Sequence, residues 1–176
     1  MVKKKGGQVW IETVIYTLIA FILIAAVLAF VRPKIQEMQD QAIIKQSITL
    51  IKDIDNLITS VSNGAPGNKR LIELNINQGI FRIDGIQDKL FFELFTTTTY
   101  SEPGVNVTDG NIIIRTDKLG NENKITLERD YNSSKYNITN NNVDEVKSLS
   151  KGATAYKLFI SNLGGENITK IDMEIK

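Results

Sequence analysis

Glu12 is the residue of this sequence whose chemistry most needs an explanation. It lies near the start of the segment from Val9 to Val31, which carries no other charged side chain. A carboxylate inside a membrane-length apolar segment is energetically costly. An acid close to the end of such a segment can extend its side chain to the aqueous interface, and this is the simplest interpretation of Glu12.

Two residue types are absent, and their absence limits the chemistry available to the chain. There is no cysteine, which excludes disulfides, thiolate metal sites and cysteine nucleophiles. There is also no histidine, the side chain most used for proton transfer near neutral pH. The 21 basic and 20 acidic residues nearly cancel, so no nucleic-acid partner is evident. We therefore expect no enzymatic activity, no catalytic residue, no metal site and no cofactor.

Four Asn-x-Ser/Thr sequons are candidate N-glycosylation sites if the chain is exported. Their asparagines are Asn106, Asn132, Asn137 and Asn167. Chance is the competing explanation, because the chain is rich in Asn, Ser and Thr. Asn132 and Asn137 fall in a segment that we predict to be a loop, and this favours them over Asn167.

Two further sets of polar residues have weaker functional interpretations. The run Thr96–Thr99 could be an O-glycosylated patch, although a strand end or loop explains it better. Asp109 and Asp117 could contribute to a calcium site, yet they lack the spacing of a known calcium-binding loop. Turn chemistry is the better explanation for both aspartates.

The N-terminal segment has the length and charge distribution of a membrane span. The 18 uncharged residues from Val14 to Val31 would form a helix of about 27 Å, close to the thickness of the hydrocarbon core. The preceding lysines, Lys3–Lys5, should remain in the cytoplasm, which places the rest of the chain outside. Three kinds of signal could explain this segment: a cleaved secretory signal peptide, a plain signal anchor, and a third type.

The third type is indicated by the residues around Glu12. Gly6 and Gly7 follow the lysines, Gln8 comes next, and Glu12 follows four residues later. This arrangement resembles the class III (type IV prepilin-like) signal peptides of archaea, which a membrane peptidase cuts on the cytoplasmic side of the apolar segment. The resemblance implies cleavage of the Gly7–Gln8 bond, with the apolar helix retained in the mature protein.

The same resemblance implies a role for Glu12 in assembly. After cleavage Gln8 would carry a free α-amino group, and the Glu12 carboxylate of a neighbouring subunit could pair with it in a filament core. Such a pair would specify register, because a slipped neighbour leaves two unpaired charges. The implied partners are a prepilin peptidase, other copies or related pilin subunits, an assembly ATPase and a membrane platform protein, with membrane lipid before assembly.

Beyond the span, the sequence predicts a second half of the helix and then a β-rich domain. Pro33 should either kink one long helix or separate two. Apolar residues recur at helical spacing from Ile35 to Val61, and helix breakers at 62–68 end this pattern. We expect a leader at 1–7, a hydrophobic and amphipathic helix at 8–62, a linker at 63–68 and an extracytoplasmic domain at 69–176.

After residue 68 the apolar residues alternate with polar ones, which predicts about seven short strands. The sequence DKLGNEN, between two such runs, indicates a hairpin. The segment 131–150, with its asparagine run, is predicted as a surface loop with a helical turn near 143–149. The final stretch YKLFISNLGGENITKIDMEI is similar to the closing hairpin of Ig-like β domains in archaeal archaellins and pilins. The predicted fold is α+β, with a long N-terminal helix before an antiparallel β-sandwich-like domain.

Two functions are consistent with this organisation. The first is a type IV pilin-like subunit, a single-pass membrane precursor with a cytoplasmic N-terminus that matures into an extracellular filament or cell-surface protein. The alternative is a single-pass surface binding module that does not assemble into a filament. An extracytoplasmic enzyme has no supporting residue set.

Overall fold

The computed structural model describes residues 6–132 and 136–176, and it has an α+β fold, as predicted. One long helix is followed by strands that form two sheets. The elements are α1 (Gly6–Ser62), β1 (Lys69–Leu74), β2 (Ile80–Asp84), β3 (Lys89–Thr96), β4 (Asn106–Asp109), β5 (Ile112–Leu119), β6 (Glu122–Asp130), β7 (Tyr136–Asn140), β8 (Val146–Ser150), β9 (Tyr156–Gly164) and β10 (Thr169–Ile175).

The chain divides into two compact units, with the boundary between Gln39 and Asp40 inside α1. In the first unit, the helix continues through Pro33. Of the two predicted arrangements, one long helix and two helices separated at Pro33, the structure has the single helix. The second unit contains the rest of α1 and both sheets.

The two sheets of the second unit are built almost entirely from antiparallel pairs. One has the strand order β4-β5-β6-β3-β2-β8, and the other has the order β1-β9-β10-β7. Within the described strands, the pair β7–β10 is the parallel exception. The predicted DKLGNEN hairpin is confirmed as β5–β6, whose register ends with Leu119 opposite Glu122.

The prediction for residues 131–150 is wrong, because this segment contains β7 and β8 rather than a loop with a helical turn. Polar side chains hid these strands from a pattern based on hydrophobicity. Thr139 is fully buried and its hydroxyl donates to Asp172 Oδ1 at 2.7 Å. Asn140 is also buried, whereas Asn141 and Asn142 adopt positive φ and form the turn that follows β7. The described chain has ten strands rather than about seven, since β4 was missed too.

The hydrophobic core of the second unit lies between α1 and the inward faces of both sheets. The predicted helical stripe is confirmed over the second half of α1, where it packs against residues such as Leu94, Leu127 and Ile160. Ile35 and Met38 were assigned to the same stripe, but both are exposed and precede the second unit. The buried helix residues are Ile44, Ile48, Ile51, Ile54, Ile58 and Val61.

A buried asparagine from a distant strand terminates the helix. The side-chain amide of Asn162, in β9, donates to the carbonyl oxygens of Val61 at 3.2 Å and Gly64 at 3.1 Å. Its own Oδ1 accepts the N–H of Gly164 at 2.7 Å. The last carbonyls of a helix lack the usual intrahelical donor. The Val61 carbonyl accepts the N–H of Gly64 at 3.2 Å, and Asn162 adds a second donor to it across about a hundred residues of chain.

We expect Asn162→Ala to lower the free energy of unfolding by about 1–2 kcal/mol, because it removes the side-chain donor that the Val61 and Gly64 carbonyls share. Thermal unfolding of the full chain in detergent, followed by circular dichroism, measures the effect. Asn121→Ala, in the exposed turn between β5 and β6, is the matched control and should be nearly neutral. Equal midpoints for the two variants would contradict the capping role.

Candidate functional site: the exposed apolar helix

The first part of α1 presents a long apolar surface that is exposed in the described structure. Every residue from Val9 to Gln36 is exposed. The most apolar 18-residue window has a mean hydropathy of 2.9, and none of it is buried. The helix is thus long and apolar enough to cross a membrane, and it is compatible with single-pass anchoring.

The hydroxyl groups in this segment bond to the helix itself. Thr13 Oγ1 donates to the carbonyl of Val9 at 2.9 Å, and Thr17 Oγ1 donates to the carbonyl of Thr13 at 2.8 Å. Such bonds to the preceding turn allow a polar side chain to enter lipid at low cost. Trp10 and Tyr16 are each 70% exposed, and their amphipathic rings suit a membrane interface.

The residues expected to undergo processing, Gly7 and Gln8, are among the first residues of α1 that the structure describes. Gln8 and Glu12 are four residues apart in the same helix, which corresponds to about 6 Å along the axis.

The asparagines of the four sequons differ in exposure and in secondary structure. Asn106 is exposed at the start of β4, and Asn167 is exposed in the turn between β9 and β10. Asn132 is exposed, but its amide donates to the carbonyl of Gln87 at 2.9 Å, and the rest of its sequon lies outside the described residues. Asn137 is half-buried within β7, not in the expected loop. Glycosylation itself stays a prediction at all four positions.

The polar residues with weaker functional interpretations form hydrogen bonds or ion pairs within the protein. Thr96 ends β3, and the backbone N–H and hydroxyl of Thr97 both donate to Asp40 Oδ2, at 2.7 and 2.6 Å. Asp109 pairs with Lys52 at 2.7 Å, and Asp117 pairs with the guanidinium of Arg115. Within the described residues, no three acidic side chains lie close enough together to hold a metal ion.

Sequence reasoning missed an ion pair that joins α1 to β6. Arg129 Nε lies 2.8 Å from Asp55 Oδ1, and the two side chains are only 10% and 15% exposed. The same guanidinium lies over the ring of Tyr131, 4.4 Å from its centroid. Tyr131 is completely buried, and this burial strongly raises the pKa of its hydroxyl. The cluster fixes the amphipathic half of the helix to the larger sheet.

No protein-family model, curated protein or solved structure matches this chain. Its function therefore has to be argued from its own residues. The exposed apolar helix with Glu12 near its start is the part of the described chain that most needs a partner.

The turn between β2 and β3 contains a carboxylate whose protonation affects stability. Asp88 has a positive φ of 53° and accepts the N–H of Ile138 at 2.7 Å. Burial raises its pKa, the bond from Ile138 opposes this, and nearby Asp144, Asp130 and Asp84 raise it further. Since the folded state binds this proton more readily than the unfolded state, the contribution is most favourable at acidic pH and is lost as pH rises through the folded pKa.

We expect Asp88→Asn to raise the unfolding midpoint at pH 7 by roughly 1–3 °C. Asparagine keeps the acceptor for Ile138 and tolerates positive φ, but it carries no charge. The gain should disappear near pH 3, where Asp88 itself is protonated. Glu166→Gln, at an exposed position in the β9–β10 turn, is the control and should show no such pH dependence. A gain that persists at pH 3 would argue against the electrostatic explanation.

Proposed function

We propose that this chain is a type IV pilin-like structural subunit, processed by a prepilin peptidase and assembled into an extracellular filament through its N-terminal helix. The observation that carries the proposal is the fully exposed apolar half of α1, with Glu12 four residues after the Gly7–Gln8 bond. The role is structural rather than catalytic.

The exposed surface of α1 requires apolar surroundings. An uncovered apolar face of this size is rare on soluble monomers and marks contact with a membrane or with other protein. In the precursor, membrane lipid would surround it. In the filament, the same face would pack against copies of itself or related subunits. One face of the second half of α1 is buried against the sheets, and the same helix includes the segment proposed to form the filament core.

Cleavage would create a positive charge that Glu12 of a neighbouring subunit can pair with. Removal of residues 1–7 would give Gln8 a positively charged α-amino group, and the carboxylate of a neighbouring subunit would meet it in the apolar core. A pair buried in this way adds little net stability, because desolvation offsets the attraction. It selects the register instead, because other registers leave both charges unpaired. Assembly would also require an ATPase and a membrane platform protein.

Intact-mass analysis of the mature protein tests the proposal. The precursor would be expressed with a prepilin peptidase, and the expected mature chain begins at Gln8. Mass analysis is preferable to chemical sequencing alone, because an N-terminal glutamine can cyclise, and the cyclised residue blocks chemical sequencing. Gly7→Val, which places a bulky side chain before the scissile bond, should prevent cleavage. A mature protein that retains Lys3–Gly7 would favour the alternative, an unprocessed single-pass surface binding module.

A further inference from the structure

A polar groove lies between α1 and the end of β1. It has a volume of about 400 Å³, within the range of small-molecule sites in proteins. The helix contributes Gln46, Leu50 and Asp53, which share one face because they are four and three residues apart. The opposite wall consists of Glu73, Asn75 and Asn77. We propose that this groove binds a neutral or amino-bearing oligosaccharide.

The polar side chains of the groove have unused hydrogen-bonding capacity. In the part of the chain that the structure describes, none of the side chains of Gln46, Asp53, Glu73, Asn75 and Asn77 makes a hydrogen bond or an ion pair. Many other carboxylates of this domain are paired, as Asp55 is with Arg129 and Asp109 with Lys52. All five groove residues are exposed, so their polar groups are open to a ligand that enters the groove.

Glu73 ends the exposed side of β1, and Asn75 and Asn77 follow in the β1–β2 connection. All three are exposed, whereas the intervening Leu74 and Ile76 are buried in the core. Together with Gln46 and Asp53 they offer three amides and two carboxylates. The amides both donate to and accept from adjacent hydroxyls, and the carboxylates accept from them, which is the chemistry that a polyol needs.

The charge of the lining selects among saccharides. Among the described residues that form the groove there is no lysine or arginine, and the two carboxylates repel an anionic ligand. Uronic acids and phosphorylated sugars are thus disfavoured, whereas a neutral or amino sugar is not. Ile43 and Leu50 supply a partly buried apolar patch against which the C–H face of a sugar ring can pack.

The wall formed by the β1–β2 connection is held in place before any ligand arrives. Gln78 Nε2 donates to the carbonyl of Phe95 at 2.8 Å. Gly79 has a φ of 91°, and a Cβ there would lie only 2.5 Å from the carbonyl oxygen of Glu93. Only glycine fits this close approach without strain. A wall fixed in this way loses little conformational entropy on binding. The inference does not depend on filament assembly.

Binding to an oligosaccharide array tests the proposal. The full chain would be purified in a non-glycosidic detergent and applied to neutral, amino-bearing and uronic-acid oligosaccharides, with saturation-transfer NMR to detect weak binding. We expect binding of neutral or amino-bearing members and none of the uronic acids. Asn75→Ala and Asn77→Ala should each weaken this binding about tenfold. Asn121→Ala, an exposed asparagine outside the groove, should bind like the unmodified chain.

Three outcomes would overturn the proposal. They are no binding to any neutral or amino-bearing saccharide, equal binding by the groove variants and the unmodified chain, and a preference for uronic acids. Circular dichroism with thermal unfolding verifies that each variant is folded. If Asn75→Ala is unstable, Asn77→Ala remains informative, because Asn77 is exposed in a bend after β1 and its side chain makes no hydrogen bond within the described structure.

Discussion

Replacing Glu12 with alanine is expected to leave cleavage at Gly7–Gln8 intact and to reduce incorporation into filaments at least tenfold. Alanine is apolar and a strong helix former, so neither membrane insertion nor the helix itself should suffer. The loss would be confined to the step at which neighbouring helices choose their register. Without the carboxylate, the α-amino group of each added subunit would enter the apolar core uncompensated, at a cost of several kcal/mol.

The experiment separates processing from assembly. Mature and precursor protein in the membrane fraction would be distinguished by mass, and sheared filaments would be quantified from the same cells. Glu12→Gln keeps the shape and the hydrogen-bonding groups but not the charge, and it should be nearly as defective as Glu12→Ala. Thr17→Val removes another polar group from the same segment and should assemble normally. Normal filaments of Glu12→Ala would refute the role in register.

Local patterns were enough to predict much of the fold. The helical stripe ending at Val61 and the alternation around Phe81 and Ile83 each reflect one face of one element packing against the core. The uncharged stretch before Pro33 is exposed and was recognised from its composition alone. A pattern of this kind needs only neighbouring residues to be recognised. The β5–β6 hairpin was predicted for the same reason, because its turn chemistry lies between two alternating runs.

The elements that were missed depend on partners far away in the sequence. β7 pairs with β10, about thirty residues later, and its buried Thr139 is tolerated because Asp172 accepts its hydroxyl. Asn162 caps a helix that ends about a hundred residues earlier. A polar side chain looks exposed to any local rule until its distant partner is known, so such residues cannot be assigned to a core from the sequence alone.

Arg129 is an intermediate case in which a usable signal was present. It continues the inward alternation of Ile125 and Leu127, so the period of two places it on the buried face of β6. A buried arginine needs an anionic partner. Asp55 is a candidate, because it lies beside the inward-facing apolar stripe of α1. What the pattern did not show was which of the chain's acidic residues would be opposite. That choice follows from how α1 lies on the sheet.

Arg129→Ala is expected to lower the free energy of unfolding by about 3–5 kcal/mol, because it leaves the Asp55 carboxylate in a mostly buried site without a cation. At this chain length the unfolding midpoint should fall by roughly 10 °C. The exposed pair Arg115–Asp117 provides the control, and Arg115→Ala should cost less than about 1 kcal/mol. Both are measured by thermal unfolding of the full chain in detergent, followed in the near-ultraviolet, because four of the five tyrosines lie in the β domain.

The double variant Asp55→Leu/Arg129→Met decides what the pair does for the fold. If the single variant is unstable because it strands a charge, removing both charges should recover most of the lost stability, since apolar residues of similar volume replace buried ion pairs at little cost. If the double variant is as unstable as Arg129→Ala, the guanidinium contributes mainly through its contact with the Tyr131 ring. Recovery of stability would instead mean that the pair chiefly specifies how α1 is oriented against β6. The two charges would then be dispensable for stability, but an orientation that separated them would leave each one buried without a partner.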